Sequence, residues 1–283
     1  MLTALLLAGM GVMLYPLVMR AYSQYRFVRE AEVYSQAMED REELVKDEMW
    51  EDARLYNEEH RANDIVDPFG EDDGGSEASA RYEGLLNPLG NGQMGYVDIP
   101  RIGQRLNLYH GSSPEVLLEG VGHLEGTSLP VGGPSSHCVL SAHRGLPTAK
   151  LFTDLDQLES GDVIYLHVIG RTLAYEVDGT EVVEPTQVDA LAIVPGEDRI
   201  TLVTCTPYAV NTHRLLVHAH AVPYVPEEDK TGDVGLWVRV RLYVLLAAAV
   251  AFVIACVVVI VRLVRGRRER CEERPSGRHF RTS

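Results

Sequence analysis

The chain has 283 residues, 41 acidic against 26 basic, and a formal net charge of −15. That length covers one or two domains with a sizeable core. The acidic balance excludes sequence-independent nucleic-acid binding, which needs Lys and Arg to displace counterions, and four Cys are too few for a disulfide scaffold. Both ends are apolar and the middle is not, which excludes a plain cytosolic domain.

Leu2 to Met19 is an uncharged run of 18 residues closed by Arg20. No small-x-small cleavage site follows it, so residues 1–20 read as a retained membrane anchor, with a signal sequence as the alternative. From Ala21 to about Asn63 the chain lacks Gly and Pro. Phe27, Ala31, Tyr34 and Met38 recur at helical spacing, as do Val45, Met49, Ala53 and Tyr56, which predicts one or two amphipathic helices. Glu39 to Asp73 holds 15 acids and four bases and reads as a solvated face plus loop. Asp67-Pro68-Phe69 then favours a turn, and Glu71 to Ala80 reads as a flexible linker, so residues 64–80 are set apart as a linking segment.

From Met94 the texture changes to short runs with Gly punctuation. Gly95–Pro100, Ser136–Ala142, Asp162–Val168, Thr172–Val177, Ile200–Thr204 and Arg214–Val222 are predicted strands. Strands at this spacing indicate a mainly β barrel or sandwich over about 130 residues. Residues 81–226 form that unit, and 227–241 a juxtamembrane linker. Leu242 to Val261 is 20 residues without a charge, enough to cross a hydrocarbon core about 30 Å thick. The tail from Arg262 carries eight Arg and three Glu. The positive-inside rule therefore places residues 262–283 in the cytoplasm and the bulk of the chain outside the plasma membrane.

Two segments carry candidate chemistry. Val139-Leu140-Ser141-Ala142-His143-Arg144-Gly145 is a strand ending in His and a turn. Ile200-Thr201-Leu202-Val203-Thr204-Cys205-Thr206-Pro207 is a strand ending in Cys, with Arg214 nine residues on. A Cys, a His and an Arg, each at a strand terminus of an exported domain, can form a thiol acyl-transfer site. A Cys alone is more often a buried small hydrophobe. His213, His218 and His220 lack an accompanying carboxylate cluster, so no metal is expected. His123 and His137 read as turn or surface residues, and His110 as lacking a recognisable partner. Cys138 reads as a buried structural thiol, unpaired with Cys205.

The segments SAHRG and TLVTCTPYAVNTHRL closely resemble the active-site segments of the sortases, membrane-anchored transpeptidases of Gram-positive bacteria. The C-terminal span and Asp67-Pro68-Phe69, which resembles a lid tripeptide, point to the pilin-polymerising branch, class C. Ala142 departs from the Gly that often precedes the His. The resemblance implies a closed β-barrel of about eight strands with short helices, preceded by N-terminal helices. It implies Cys205 as nucleophile, His143 as proton shuttle and Arg214 as oxyanion donor, with Thr204 and Thr206 helping to orient substrate. Asp67, Pro68 and Phe69 would cover the site. The implied substrates are pilin subunits bearing LPxTG-like sorting signals, joined through a thioacyl enzyme to a Lys amine without a cofactor. Two other readings stay open: a housekeeping sortase acting on peptidoglycan, and a non-catalytic adhesion or scaffold module.

Overall fold

Eight strands close into a barrel in the order β1-β2-β3-β4-β7-β8-β6-β5 in the computed structural model, which describes residues 2–60, 77–208, 210–226 and 231–272. The strands are β1 (Gln93–Ile99), β2 (Gln104–His110), β3 (Val121–His123), β4 (Ser136–Ser141), β5 (Val163–Val168), β6 (Arg171–Val183), β7 (Asp198–Thr206) and β8 (His213–Val222). Six of them are the expected strands. β2 and β3 escape the sequence reading because β2 is polar at every second or third position and β3 spans only three residues. β6 also runs six residues beyond Val177, past a bulge at Val177/Gly179.

Alternation along each strand sorts side chains between two faces. Val97, Ile99, Leu106, Leu108, Leu140, Leu166, Leu202 and Val217 are fully buried in the main cluster that fills the barrel. Phe152 and Leu155 join it from the β4–β5 connection. Truncating one of these side chains to Ala costs about 2–5 kcal/mol. The inner end of β1–β2 also holds a buried charge, Asp98, which accepts two 2.8 Å bonds from Arg105 and lies 3.2 Å from His167.

The N-terminal run and the first amphipathic stretch are one helix, α1 (Leu2–Glu39), which continues through Arg20 with Pro16 inside it. Its Phe27, Ala31, Tyr34 and Met38 are buried, as their spacing predicts. The Tyr34 hydroxyl donates to the Met94 carbonyl at 2.6 Å and accepts from the Ile169 amide at 3.0 Å. The short α4 (Pro114–Glu119) links β2 to β3. α2 (Glu43–Glu59) lays Trp50, Ala53 and Tyr56 on the barrel. Asn57 pairs with the Leu129 backbone in both directions, at 2.7 and 3.1 Å. Within the expected flexible linker, residues 77–80 belong instead to α3 (Glu77–Gly84). Asp67, Pro68 and Phe69 lie outside the described residues. The expected juxtamembrane linker is helical from Thr231, continuous with the apolar run as α5 (Thr231–Glu272). Among the described residues, one helix is long and apolar enough to cross a membrane, Gly235–Arg262, whose most apolar 18 residues have a mean hydropathy of 3.4.

Three histidines differ from their sequence reading. His110 is buried, with ring nitrogens 2.9 and 2.7 Å from the Gly92 and Leu85 carbonyls. His137 is buried in β4, and His123 is wholly buried in β3. Polar residues on short strands look like turn residues in sequence; here each finds backbone partners inside. His123 Nε2 donates to the Ser128 carbonyl at 2.9 Å, and Nδ1 accepts from the Tyr82 hydroxyl at 2.8 Å. Burial pushes its pKa down to about 4. The unfolded chain takes a proton there near pH 6.5 and the folded chain does not, so this stability is present above pH 6.5 and is lost as pH falls toward 4. The loss is about 3 kcal/mol at full protonation. Urea unfolding between pH 7 and 4 should show this slope, and His123→Asn, which keeps a donor and an acceptor without the titration, should flatten it.

Candidate active site

The pairing of three strands brings the candidate residues into one row. β7 and β8 are antiparallel, with Cys205 directly opposite Arg214. β4 and β7 are parallel, with Ser141 opposite Val203. The pairing continues past the end of β4: the Ala142 amide donates to the Val203 carbonyl at 3.2 Å, and Thr204 Oγ1 donates to the Ala142 carbonyl at 2.8 Å. The next residue on that path, His143, therefore arrives level with Cys205. Directly paired residues share a face of the sheet. Leu140, Leu202 and Leu215 point into the barrel, so the row His143–Cys205–Arg214 lies on the outer face.

Cys205 and Arg214 are nearly buried, at 8% and 9% exposure, and His143 is partly buried. Burial alone lowers the His143 pKa below its usual 6.5, which favours the neutral imidazole at neutral pH. Arg214 Nη1 leans on the Asn211 and His213 carbonyls at 3.4 and 3.3 Å. Neither Cys138 nor Cys205 is in a disulfide, and burial raises the Cys138 pKa well above its ordinary value. A protonated, buried Cys138 is inert, as its place in the strand implies.

The turn after His143 is built to hold it. The His143 carbonyl accepts from the Phe152 amide at 3.2 Å, and the Gly145 amide donates to Thr153 Oγ1 at 3.2 Å. Gly145 has φ +84°, and a Cβ there would stand 3.0 Å from the Tyr208 ring, so only Gly fits. Arg144 ties the two chemistry-bearing strand ends together, donating to Thr206 Oγ1 at 3.2 Å and to Asp156 Oδ2 at 2.6 Å.

The Sortase domain family model matches residues 97–222, from within β1 to the end of β8. Sortase C-1 from Actinomyces oris is 45% identical, with 63% of this chain and 99% of that one covered and a TM-score of 0.60. This chain belongs to the sortase family. Sortase C of Streptococcus pneumoniae is 41% identical, with 70% of this chain and 97% of that one covered and a TM-score of 0.63. A curated relative, sortase A of Streptococcus agalactiae, is 30% identical over 144 residues, 50% of this chain. The chain spans about half that relative's length, 54%.

Within the sortase barrel the flanking threonines differ in role. Thr204 is wholly buried and its hydroxyl is committed to the Ala142 carbonyl, so it joins the strand ends and does not face the cleft. Thr206 is partly exposed and engaged by Arg144. Arg144 and Asp156 were not singled out in the sequence. The only signal was position, Arg144 directly after His143, and a lone Arg in a turn carries no pattern of its own.

The outer face carries a second structure that sequence reasoning missed. One row below Cys205, Val139, Val203 and Leu216 pack against Leu124 and Leu191, the last from the β6–β7 connection. The next row is polar. His137 Nδ1 lies 3.0 Å from the Ala192 carbonyl and Nε2 lies 2.7 Å from Thr201 Oγ1; Thr201 Oγ1 lies 2.8 Å from His218 Nδ1, and His218 Nε2 lies 3.1 Å from Glu181. Arg199 stands beside this row, paired with Asp178 and Glu197, and His220 also meets Asp178. The chain thus ties the β6–β7 connection, the wall beside the cleft, to the sheet. None of the three C-terminal histidines is grouped for a metal among the described residues.

Both ends of this chain are acceptors, the Ala192 carbonyl and the Glu181 carboxylate. Glu181→Ala removes the outer end of the tether, so hydrogen exchange of residues 184–197, corrected for the intrinsic rate, should be about fivefold faster in that variant.

Proposed function

We propose that this sortase is a cysteine transpeptidase of the pilin-polymerising kind, with Cys205, His143 and Arg214 as its catalytic groups. The observation that carries the reading is the single row they form across the ends of β4, β7 and β8. Cys205 attacks the Thr carbonyl of an LPxTG-like sorting signal. Its thiol proton passes to the neutral His143 as the sulfur–carbon bond forms. Arg214 donates hydrogen bonds to the carbonyl oxygen as negative charge builds there, in a largely desolvated setting where such a donor matters most. His143 then returns the proton to the departing Gly amine, leaving a thioacyl enzyme. A Lys amine of a second subunit attacks the thioester, giving its proton to His143, and an isopeptide bond forms as the thiol is restored. The chemistry is acyl transfer throughout and needs no cofactor.

Support for pilin as the substrate comes from the relatives: the Streptococcus pneumoniae sortase C structure is described in terms of pilin substrate specificity. The sortase A relative favours the second reading, attachment to a peptidoglycan amine, and the choice of acceptor amine decides between them. The apolar helix Gly235–Arg262 fits a plasma-membrane anchor. We place the barrel outside the cell and the Arg-rich tail inside. The catalytic unit is taken as residues 81–226.

Full-length protein incubated with an LPxTG-type peptide should yield a mass adduct on Cys205, resolved faster by a Lys-bearing pilin peptide than by a cross-bridge amine. Cys205→Ala should give no adduct, and any joining by that variant rejects the mechanism. Arg214→Ala should lower kcat by about 100- to 1000-fold. Because the active form holds a neutral His143 of lowered pKa, the acid limb of kcat/KM should fall below pH 6.5.

A further inference from the structure

α1 and α5 lie side by side and antiparallel, joined at Val28 and Val238 and by an Arg239–Glu32 ion pair. Where their apolar stretches begin, a cavity of about 290 Å³ opens between the two helices and the turn that follows His143. Its polar wall is Arg20, Lys150, Asp154 and Arg241, and its apolar wall is Leu17 and Leu245. Three cations from three separate elements face one carboxylate there. Lys150 pairs with Asp154 at 2.6 Å, while neither Arg20 nor Arg241 meets a carboxylate among the described residues.

The level of this cavity is marked independently by exposed side chains. Val12, Met13, Leu17, Val244, Val250 and Val253 are all at least half exposed on the two helices. Within a turn of Arg20 or Arg241 stand Tyr22, Trp237 and Tyr243, 52%, 68% and 64% exposed, with Tyr15 further along α1 at 59%. Bare apolar rows bounded by a ring of exposed aromatics define a membrane–water boundary. A cationic cleft with one greasy wall, opening at that boundary, matches the chemistry of a phospholipid headgroup, whose phosphate sits beside its own acyl chains.

We propose that this cleft binds the phosphate of an anionic phospholipid and that the bound lipid steadies the turn carrying His143. Arg20 makes the connection. Its Nε donates to the Pro147 carbonyl at 3.1 Å and its Nη2 to the Leu146 carbonyl at 3.3 Å. A guanidinium has five N–H groups, so three remain for a phosphate. Lys150 lies in the same turn and also donates to the Ile102 carbonyl at 3.2 Å. A phosphate held by Arg20 and Lys150 therefore cross-links α1 to the backbone just after His143 and Arg144, while Arg241 closes the site from α5. The assignment rests on the membrane placement proposed above and is independent of the acyl-transfer chemistry.

The test uses full-length protein in nanodiscs of phosphatidylcholine with or without phosphatidylglycerol. Native mass spectrometry counts retained phosphatidylglycerol, and hydrogen exchange reads residues 144–153. Phosphatidylglycerol should be retained and should slow exchange in that turn. Lys150→Gln with Arg241→Gln, which leaves the Arg20 contacts in place, should weaken retention about thirtyfold, fivefold for each cation, and abolish the slowing. A variant with Arg265 and Arg268 replaced by Gln should keep the slowing, which separates this site from the tail. Equal retention by the double variant, equal exchange in the two lipids, or the same slowing from inorganic phosphate in detergent would each overturn the assignment. Failure of liposome flotation would instead overturn the membrane placement.

Discussion

The parallel pairing of β4 with β7 is the constraint on which the site depends. Cys205 and Arg214 meet through a local antiparallel pair joined by a short connection, which any hairpin could supply. His143 comes from 62 residues earlier in the chain and reaches the same level only because Ser136 through Ser141 run in fixed register beside Asp198 through Val203. A slip of one residue would turn His143 to the other face and bury it in the barrel. The Thr204 hydroxyl on the Ala142 carbonyl sits where the ladder ends, where fraying would begin. The register is protected on both faces: Leu140 and Leu202 anchor it inside, Val139 and Val203 outside.

Around that row, burial sets the protonation states. It keeps His143 and His123 neutral and the Cys138 thiol protonated. Two of the buried or half-buried charges are paired, Arg144 with Asp156 and Asp98 with Arg105. In the proposed mechanism the base is then available at neutral pH and lost in acid, on a scaffold that itself weakens in acid. Both limits come from the same cause, desolvation of imidazole.

Sequence reached the chemistry further than the fold. His143, Cys205 and Arg214 were legible as candidates because His143 and Cys205 each close a hydrophobic run and Arg214 opens one, and the strand pairing places them in one row. The helix spacing of Phe27, Ala31, Tyr34 and Met38 was legible from a repeated apolar period. β3 was not, since three residues give no period. His123 and His137 were misplaced because composition cannot show a backbone carbonyl arriving from elsewhere. The continuity of α1 through Arg20 was hidden by a change from apolar to amphipathic pattern along one helix. Thr204 was assigned to substrate by its neighbour Cys205, although alternation along β7 turns adjacent residues to opposite faces.

The pairing of α1 with α5 bears on the turn that follows His143. Arg20 on the Leu146 and Pro147 carbonyls fixes that turn against the two packed helices. The strand end carrying His143 is thereby held from two sides, by Thr204 within the sheet and by Arg20 from below. Only the first of these survives in a barrel cut free of its helices. Loss of α1 therefore removes a support of the turn that follows His143, and a barrel without its helices differs from the full chain in that turn.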